Sequence, residues 1–314
     1  MTVINRFTTL FAIVLFACAA FAAERGVMVR VAQIFLSPDP SSAKIATIDR
    51  GREVAVLEKS RDWIHVLATL NENRETEESR DVSGWMLDKG VVRAGTPEGD
   101  KILFGEAVSS EAEASRRGGR RGAAQDALRL YARTAEYFPQ SPLAGEAAYR
   151  AADITWQLEK SQLAARPSSR LRDPHDRFGI EEDAMKKVIK KYPGTKWADL
   201  AAFRLIDNKL CGDWMAESKC PEKESELYEK YVQEHPQSPV AAEALYDAAW
   251  RQAALIEIYK TEGKAGKSPE AQSRTTALAQ RIISTYPQSD WAARAQTLLY
   301  MVQQGIPTFG NALQ

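Results

Sequence analysis

The sequence predicts two domains of opposite class behind an export signal: a small all-β barrel over residues 26–93 and an all-α array of stacked helix pairs over 122–304. Three observations carry this reading. Short β-rich runs alternate apolar and polar residues between 27 and 87, an aromatic-Pro-x-Ser/Thr string recurs four times after residue 137, and an uncharged apolar run fills 7–21. At 314 residues the chain is long enough for about two domains of ordinary size, each burying a core.

Composition removes several classes of function. The 42 Lys+Arg balance 42 Asp+Glu, whereas a dedicated nucleic-acid binder needs a basic surplus clustered on one face. With 44% hydrophobic and 27% charged residues the chain is neither disordered nor polytopic. Three histidines leave little material for a histidine-rich metal site. The three cysteines are an odd number, so one thiol needs its own explanation.

Residues 1–22 read as a signal peptide. Arg6 precedes an apolar run too short for a membrane span, Ala20-Phe21-Ala22 puts small residues where signal peptidase needs them, and charge resumes at Glu24-Arg25. Cleavage after Ala22 is the expectation. The alternative is Leu15-Phe16-Ala17-Cys18, which resembles a bacterial lipobox whose cysteine becomes the lipidated first residue, with Phe16 departing from the pattern. Either route leads to an oxidising compartment, the periplasm or cell envelope, with an outer-membrane anchor if Cys18 is lipidated.

From Val27 five short runs follow, around Val27–Val31, Lys44–Ile48, Glu53–Glu58, Trp63–Leu67 and Gly84–Leu87, separated by turn residues such as Pro38, Pro40, Asp49-Arg50-Gly51 and Arg61-Asp62. Closely spaced short strands of this kind predict a small closed barrel. Pro38, Ile45 with Ile48, Gly51-Arg52-Glu53-Val54-Ala55-Val56-Leu57, Trp63-Ile64-His65-Val66 and Gly84-Trp85 together resemble the bacterial Src-homology-3-like (SH3b) domain. Two departures stand out: Phe35–Pro40 replaces the family's Asn-x-Arg-x-Gly-Pro segment, and the loop 71–83 is long and acidic. The resemblance implies an aromatic groove for cell-wall peptides or protein segments, lined by Trp63 and Trp85. The plainer reading makes both tryptophans core, since large aromatics bury most of their area wherever they can. His65 has no partner at ligand spacing and reads as structural or solvent-facing.

Residues 94–121 read as a linker holding a helix over 101–115 and four arginines, 116, 117, 120 and 121, around a Gly pair. These could meet an anionic surface, though a solvated linker is the simpler reading. Beyond them come Phe138-Pro139-Gln140-Ser141, Tyr192-Pro193-Gly194-Thr195, His235-Pro236-Gln237-Ser238 and Tyr286-Pro287-Gln288-Ser289, each followed by alanines in step. Proline stops one helix, Ser or Thr two residues later accepts the free N–H groups of the next, and Pro142 and Pro239 are expected in the first turn of the helices they open. Leu130, Tyr131, Val188, Ile189, Leu227, Tyr231, Leu278 and Ile282 supply the apolar stripe of the first helix of each pair. Residues 123–303 resemble tetratricopeptide repeats of the Tyr-Pro-x-Ser variety, familiar from the lipoprotein of the outer-membrane β-barrel assembly machinery and the Tol-Pal coordinator family. That implies a tetratricopeptide-type solenoid of four helix pairs that binds proteins. His235 fills the aromatic position of the motif, so its ring is expected to pack at the turn. Residues 305–314 are a tail.

Cys211 and Cys220 lie between the second and third repeats and are expected to form a disulfide. A metal site would need more ligands nearby, and a redox pair normally has two intervening residues. No catalytic string has supporting context: there is no His-Glu-x-x-His, Gly-x-Ser-x-Gly, phosphate loop or EF-hand loop. Glu181-Glu182 and Glu222 with Glu224 read as acidic residues opening helices, where negative charge complements the dipole. Trp156, Trp197, Trp250 and Trp291 are candidate exposed aromatics, with Trp197 and Trp291 better placed for hairpin core. The functional expectation is a non-catalytic envelope adaptor without cofactor or metal: repeats holding an envelope protein, barrel reading peptidoglycan peptide or a second protein. A cell-wall hydrolase or its activator is the alternative, and a barrel that merely caps the first repeat is the blandest.

Overall fold

The computed structural model describes residues 24–71, 79–168, 173, 175–177 and 179–310. The signal-peptide and Cys18 readings fall outside them, as does most of the acidic loop 71–83. Strands β1 (Glu24–Met28), β2 (Ala32–Phe35), β3 (Lys44–Ile48), β4 (Glu53–Ser60), β5 (Trp63–Asn71), β6 (Ser79–Leu87) and β7 (Val91–Arg93) form one antiparallel sheet in the order β3-β2-β6-β5-β4-β1-β7. Nine α-helices follow among the described residues: α1 (Gly99–Ser115), α2 (Ala123–Tyr137), α3 (Ala144–Ala165), α4 (Asp183–Lys191), α5 (Lys196–Arg204), α6 (Lys219–Glu234), α7 (Ala241–Thr261), α8 (Ser268–Thr285) and α9 (Asp290–Gln303). The order expected from the sequence, all-β followed by all-α helical repeats, is the order found.

The chain divides into two compact units. The first holds most of the sheet, residues 32–48 and 53–89 with the start of β1. Its period-two alternation buries Ile64, Val66 and Ala68 of β5 and Val82 and Met86 of β6, with Ile34, Ile48 and Val54. β5 and β6 pair without a break from Trp63 opposite Leu87 to Asn71 opposite Ser79. A Cβ on Gly84 would lie 2.7 Å from the side chains of Ile34 and Ile45, so only glycine leaves room for both.

The second unit gathers residues 27–31 and 49–52 with everything from Gly90 onward. In the segment read as a linker, α1 buries Leu103, Ala107 and Ser110, and Leu103 and Ala107 share a core with Leu130 and Tyr131 of α2. The buried positions recur at helical spacing, which sets this helix apart from the exposed Gly-Arg residues that follow it. Four helix pairs then run α2–α3, α4–α5, α6–α7 and α8–α9. Ala152, Trp156, Met185, Val188 and Ala201 make the next core, and Tyr231, Leu245, Ala248, Ile282 and Leu298 belong to the largest.

The four recurrent strings occupy the four turns between paired helices with one backbone. Phe138, Tyr192, His235 and Tyr286 are the C-caps of α2, α4, α6 and α8, with φ of −125°, −126°, −128° and −126° and ψ of 59°, 51°, 58° and 50°. The following proline forbids helical ψ at these residues and thereby ends each helix. Thr195 and Ser289 then cap α5 and α9, accepting from the N–H groups of Ala198 and Ala292. Ser141 and Ser238 accept instead from Leu143 and Val240. Contrary to expectation, Pro142 and Pro239 lie two residues before α3 and α7, not in their first turn. Each opens a tighter turn, closed by the N–H of Ala144 on Ser141 O (3.0 Å) and of Ala241 on Ser238 O (3.1 Å).

Candidate functional site

β5 and β6 bring the predicted groove residues Trp63 and Trp85 onto neighbouring strands of the first unit. His65 lies directly opposite Trp85, and Trp63 two residues earlier lies opposite Leu87. The alternation that buries Ile64 and Val66 gives Trp63, His65, Trp85 and Leu87 to the other face. There the His65 and Trp85 rings stack at 5.0 Å and 19°, and His65 Nε2 lies 3.1 Å from Ser83 Oγ. Phe35, paired with Trp85 across β2 and β6, meets Trp63 edge-on with centroids 5.5 Å apart. Trp63 is thereby 9% exposed, whereas Leu87 opposite it is 40% exposed. The face is an aromatic and aliphatic patch suited to stacking and apolar contact. Phe35 was not singled out from sequence, although its place beside the first proline-bearing loop marks it.

The repeat-turn residues are structural. Pro139, Pro193, Pro236 and Pro287 terminate helices, and Ser141, Thr195, Ser238 and Ser289 bind the N–H groups that follow. His235 packs on Tyr231 at 4.9 Å, and its Nδ1 lies 2.8 Å from Asp199 Oδ1 in the preceding repeat. Trp197 and Trp291 hold equivalent places, half-buried against Tyr149 and Tyr246 at 5.9 and 5.2 Å. Trp156 is 2% exposed, so it is core and not a surface aromatic.

Cys211 and Cys220 form a disulfide with Cα atoms 6.1 Å apart. The loop it closes is organised by Glu224. Its Oε1 accepts from the Cys211 N–H at 2.8 Å and from the Trp214 indole N–H at 3.2 Å, while Oε2 accepts from Arg251 Nε at 2.8 Å. Reading Glu224 as a dipole-complementing residue at a helix start is therefore corrected: it is a buried ion-pair partner two residues past the first turn of α6, whose acidic residue is Glu222. Glu222 beside it accepts from the Tyr259 hydroxyl at 2.6 Å. The Arg251 guanidinium lies 4.5 Å from the Tyr228 ring centroid and 5.8 Å from that of Trp214. Burial raises the Tyr228 phenol above its ordinary range and also raises the Asp247 carboxyl, which accepts from Arg251. Beside this cluster lies a pocket of about 400 Å³ whose walls include Arg177, Trp214, Trp250, Arg251 and Phe309.

The linker arginines are partly engaged. Arg116 pairs with Glu113 at 3.0 Å and Arg120 with the buried Asp126 at 2.5 Å. Among the described residues no group of His, Cys, Asp and Glu is placed to hold a metal ion, and no helix is long and apolar enough to cross a membrane.

No protein-family model and no curated protein matches the chain. Among solved structures it is similar to a de novo designed helical repeat protein, DHR64, at 18% identity over 66% of this chain and 94% of that one, with a TM-score of 0.22. It is likewise similar to the DHF58 filament, at 17% identity over 65% and 91% of the two chains and a TM-score of 0.24.

Proposed function

We propose that this chain is a non-catalytic adaptor of the bacterial cell envelope, with tetratricopeptide-type helix pairs that hold a protein partner and an SH3b-like strand unit that reads peptidoglycan peptide or a second protein. The aromatic face built by Phe35, Trp63, His65 and Trp85 carries the reading, because stacked rings beside exposed Leu87 suit a docked peptide better than catalysis. The helical repeats support it from the other side. Their motif residues are consumed in turns and caps, which leaves the remaining surface free to vary for recognition.

The test is in-cell cross-linking with mass spectrometry alongside murein co-sedimentation, comparing the parent with Trp85→Ala. Loss of sedimentation or of one cross-linked protein in Trp85→Ala is expected, with the other cross-links kept. A parent that neither sediments with murein nor cross-links to an envelope protein sinks the proposal. Release of muropeptides by the purified protein would sink its non-catalytic part.

A further inference from the structure

The C-terminal tail is aimed at the pocket beside the disulfide loop. Helix α9 ends in a Schellman turn: Gly305 takes φ +67°, its N–H bonds to Val302 O at 3.2 Å, and the Ile306 N–H bonds to Met301 O at 2.9 Å. Pro307 then prevents the helix from resuming. Residues 305–308 run beside Ala253 and Ile256 of α7, and the Phe309 ring reaches Trp214 at 5.4 Å and 37°. An aromatic side chain on a non-helical segment is thus already seated on a wall of two tryptophans, Trp214 and Trp250, whose own rings lie 5.3 Å apart.

The wall is rigid and the occupant is not firmly held. Trp214 is fixed by its indole bond to Glu224 and by the Cys211–Cys220 bridge, with Arg251 behind it. Among the described residues the tail beyond Ile306 makes no hydrogen bond, and Thr308 Oγ1 is buried without a partner. Ile306 remains 43% exposed. A pocket of about 400 Å³ stays open beside Phe309, so an occupant larger than this tail would fit.

We infer that the Trp214–Trp250 pocket is a recognition site for a non-helical protein segment presenting an aromatic side chain, and that the chain's own Phe309 is its resident, displaceable occupant. A partner supplying a larger aromatic ring would take up the open volume, and a donor or acceptor of its own would avoid the buried, unpaired hydroxyl that Thr308 leaves. The inference rests on the reading that the helical repeats bind protein segments.

The experiment uses the full mature chain and, as probe, a fluorescein-labelled peptide of the tail sequence Gln303 to Gln314, read by anisotropy. Phe309→Ala removes the resident ring without altering the wall, and it is expected to bind the peptide at least tenfold more tightly than the parent. The same peptide with alanine in place of its phenylalanine is expected to bind neither. Adding Trp250→Leu, which leaves the Trp214–Glu224 bond intact, should return binding to background in a chain that still unfolds cooperatively, at a melting temperature lowered by the lost packing. Equal binding by the parent and Phe309→Ala, or none by either, overturns the proposal. So does a result in which Phe309→Ala changes only the oligomeric state, because the tail would then serve exchange between copies. If peptide binding fails while in-cell cross-links to the helical repeats persist, this site falls and the adaptor reading stands.

Discussion

Arg251 Nε donates to Glu224 Oε2 across 2.8 Å, and the two side chains are only 9% and 2% exposed. The pair joins α7 to α6, and through the second oxygen of Glu224 it also holds Cys211 and Trp214. One carboxylate therefore serves a helix contact and a loop at once.

Removing one partner leaves the other charge buried, which is far costlier than losing the pair whole. Glu224→Ala is expected to destabilise the chain by about 3–5 kcal/mol in urea unfolding. Replacing Glu224 and Arg251 together by Leu and Met should recover much of that loss. Equal losses in the single and double variants would refute the account.

The disulfide closes a short loop, Cys211 and Cys220 being 9 apart in sequence. Loop-closure entropy gives about 2–3 kcal/mol for a ring of this size. A reductant should lower the unfolding midpoint of the parent accordingly and leave the variant with both cysteines replaced by serine unmoved.

Thr195 and Ser289 are direct caps, so Thr195→Ala and Ser289→Ala should each cost about 1 kcal/mol, measured by chemical unfolding. Thr195→Ser and Ser289→Thr keep the acceptor oxygen and should cost only a fraction of that.

Gly51 holds φ +70°, and a Cβ there would sit 2.6 Å from Arg129 Cβ on α2. Strained backbone and a backbone-close contact act together, so Gly51→Ala is expected to cost at least about 1–3 kcal/mol. A melting temperature unchanged in Gly51→Ala would show that the approach relaxes freely.

Glu262, the C-cap of α7, accepts from Lys264 Nζ and from the Ser218 N–H, bonds that in that order lower its carboxyl to about 2. A depressed carboxyl contributes stability that is fully present above its unfolded value, 4.5, and is lost as pH falls toward 2. The melting temperature should thus decline through that window in the parent and less steeply in Glu262→Gln. Parallel pH profiles for the two would remove this role.

Much of the fold was legible because its signals are local. Proline after an aromatic ends a helix wherever it stands, so four turns were visible as strings, and period-two alternation marked β4, β5 and β6. The α1 helix was anticipated over 101–115, but its packing was not, since Leu103 and Ala107 stand beside a Gly-Arg segment that reads as linker. The candidate sites were legible only in part for a physical reason. Trp63 and Trp85 each stand in a run of alternating strand that the sequence displays, whereas the Glu224–Arg251 and Phe309–Trp214 contacts join positions that no local pattern relates. Contacts of that separation leave no periodic trace. Two signals were present in the sequence and went unread: a tryptophan between the two cysteines, and the Gly305-Ile306-Pro307 string that ends α9 before Phe309.

Thr195 and Ser289 cap directly and stand two residues before a tryptophan, while Ser141 and Ser238 precede a proline; the Tyr149–Trp197 contact of the first two pairs returns as Tyr246–Trp291 in the last two. The helical array is therefore a tandem of two four-helix modules, α2–α5 and α6–α9, in which each odd hairpin lends a tyrosine to the even hairpin after it. Shortening or lengthening the chain by a single hairpin would strand one ring of such a pair, so the natural increment for growth, deletion or grafting is the doublet.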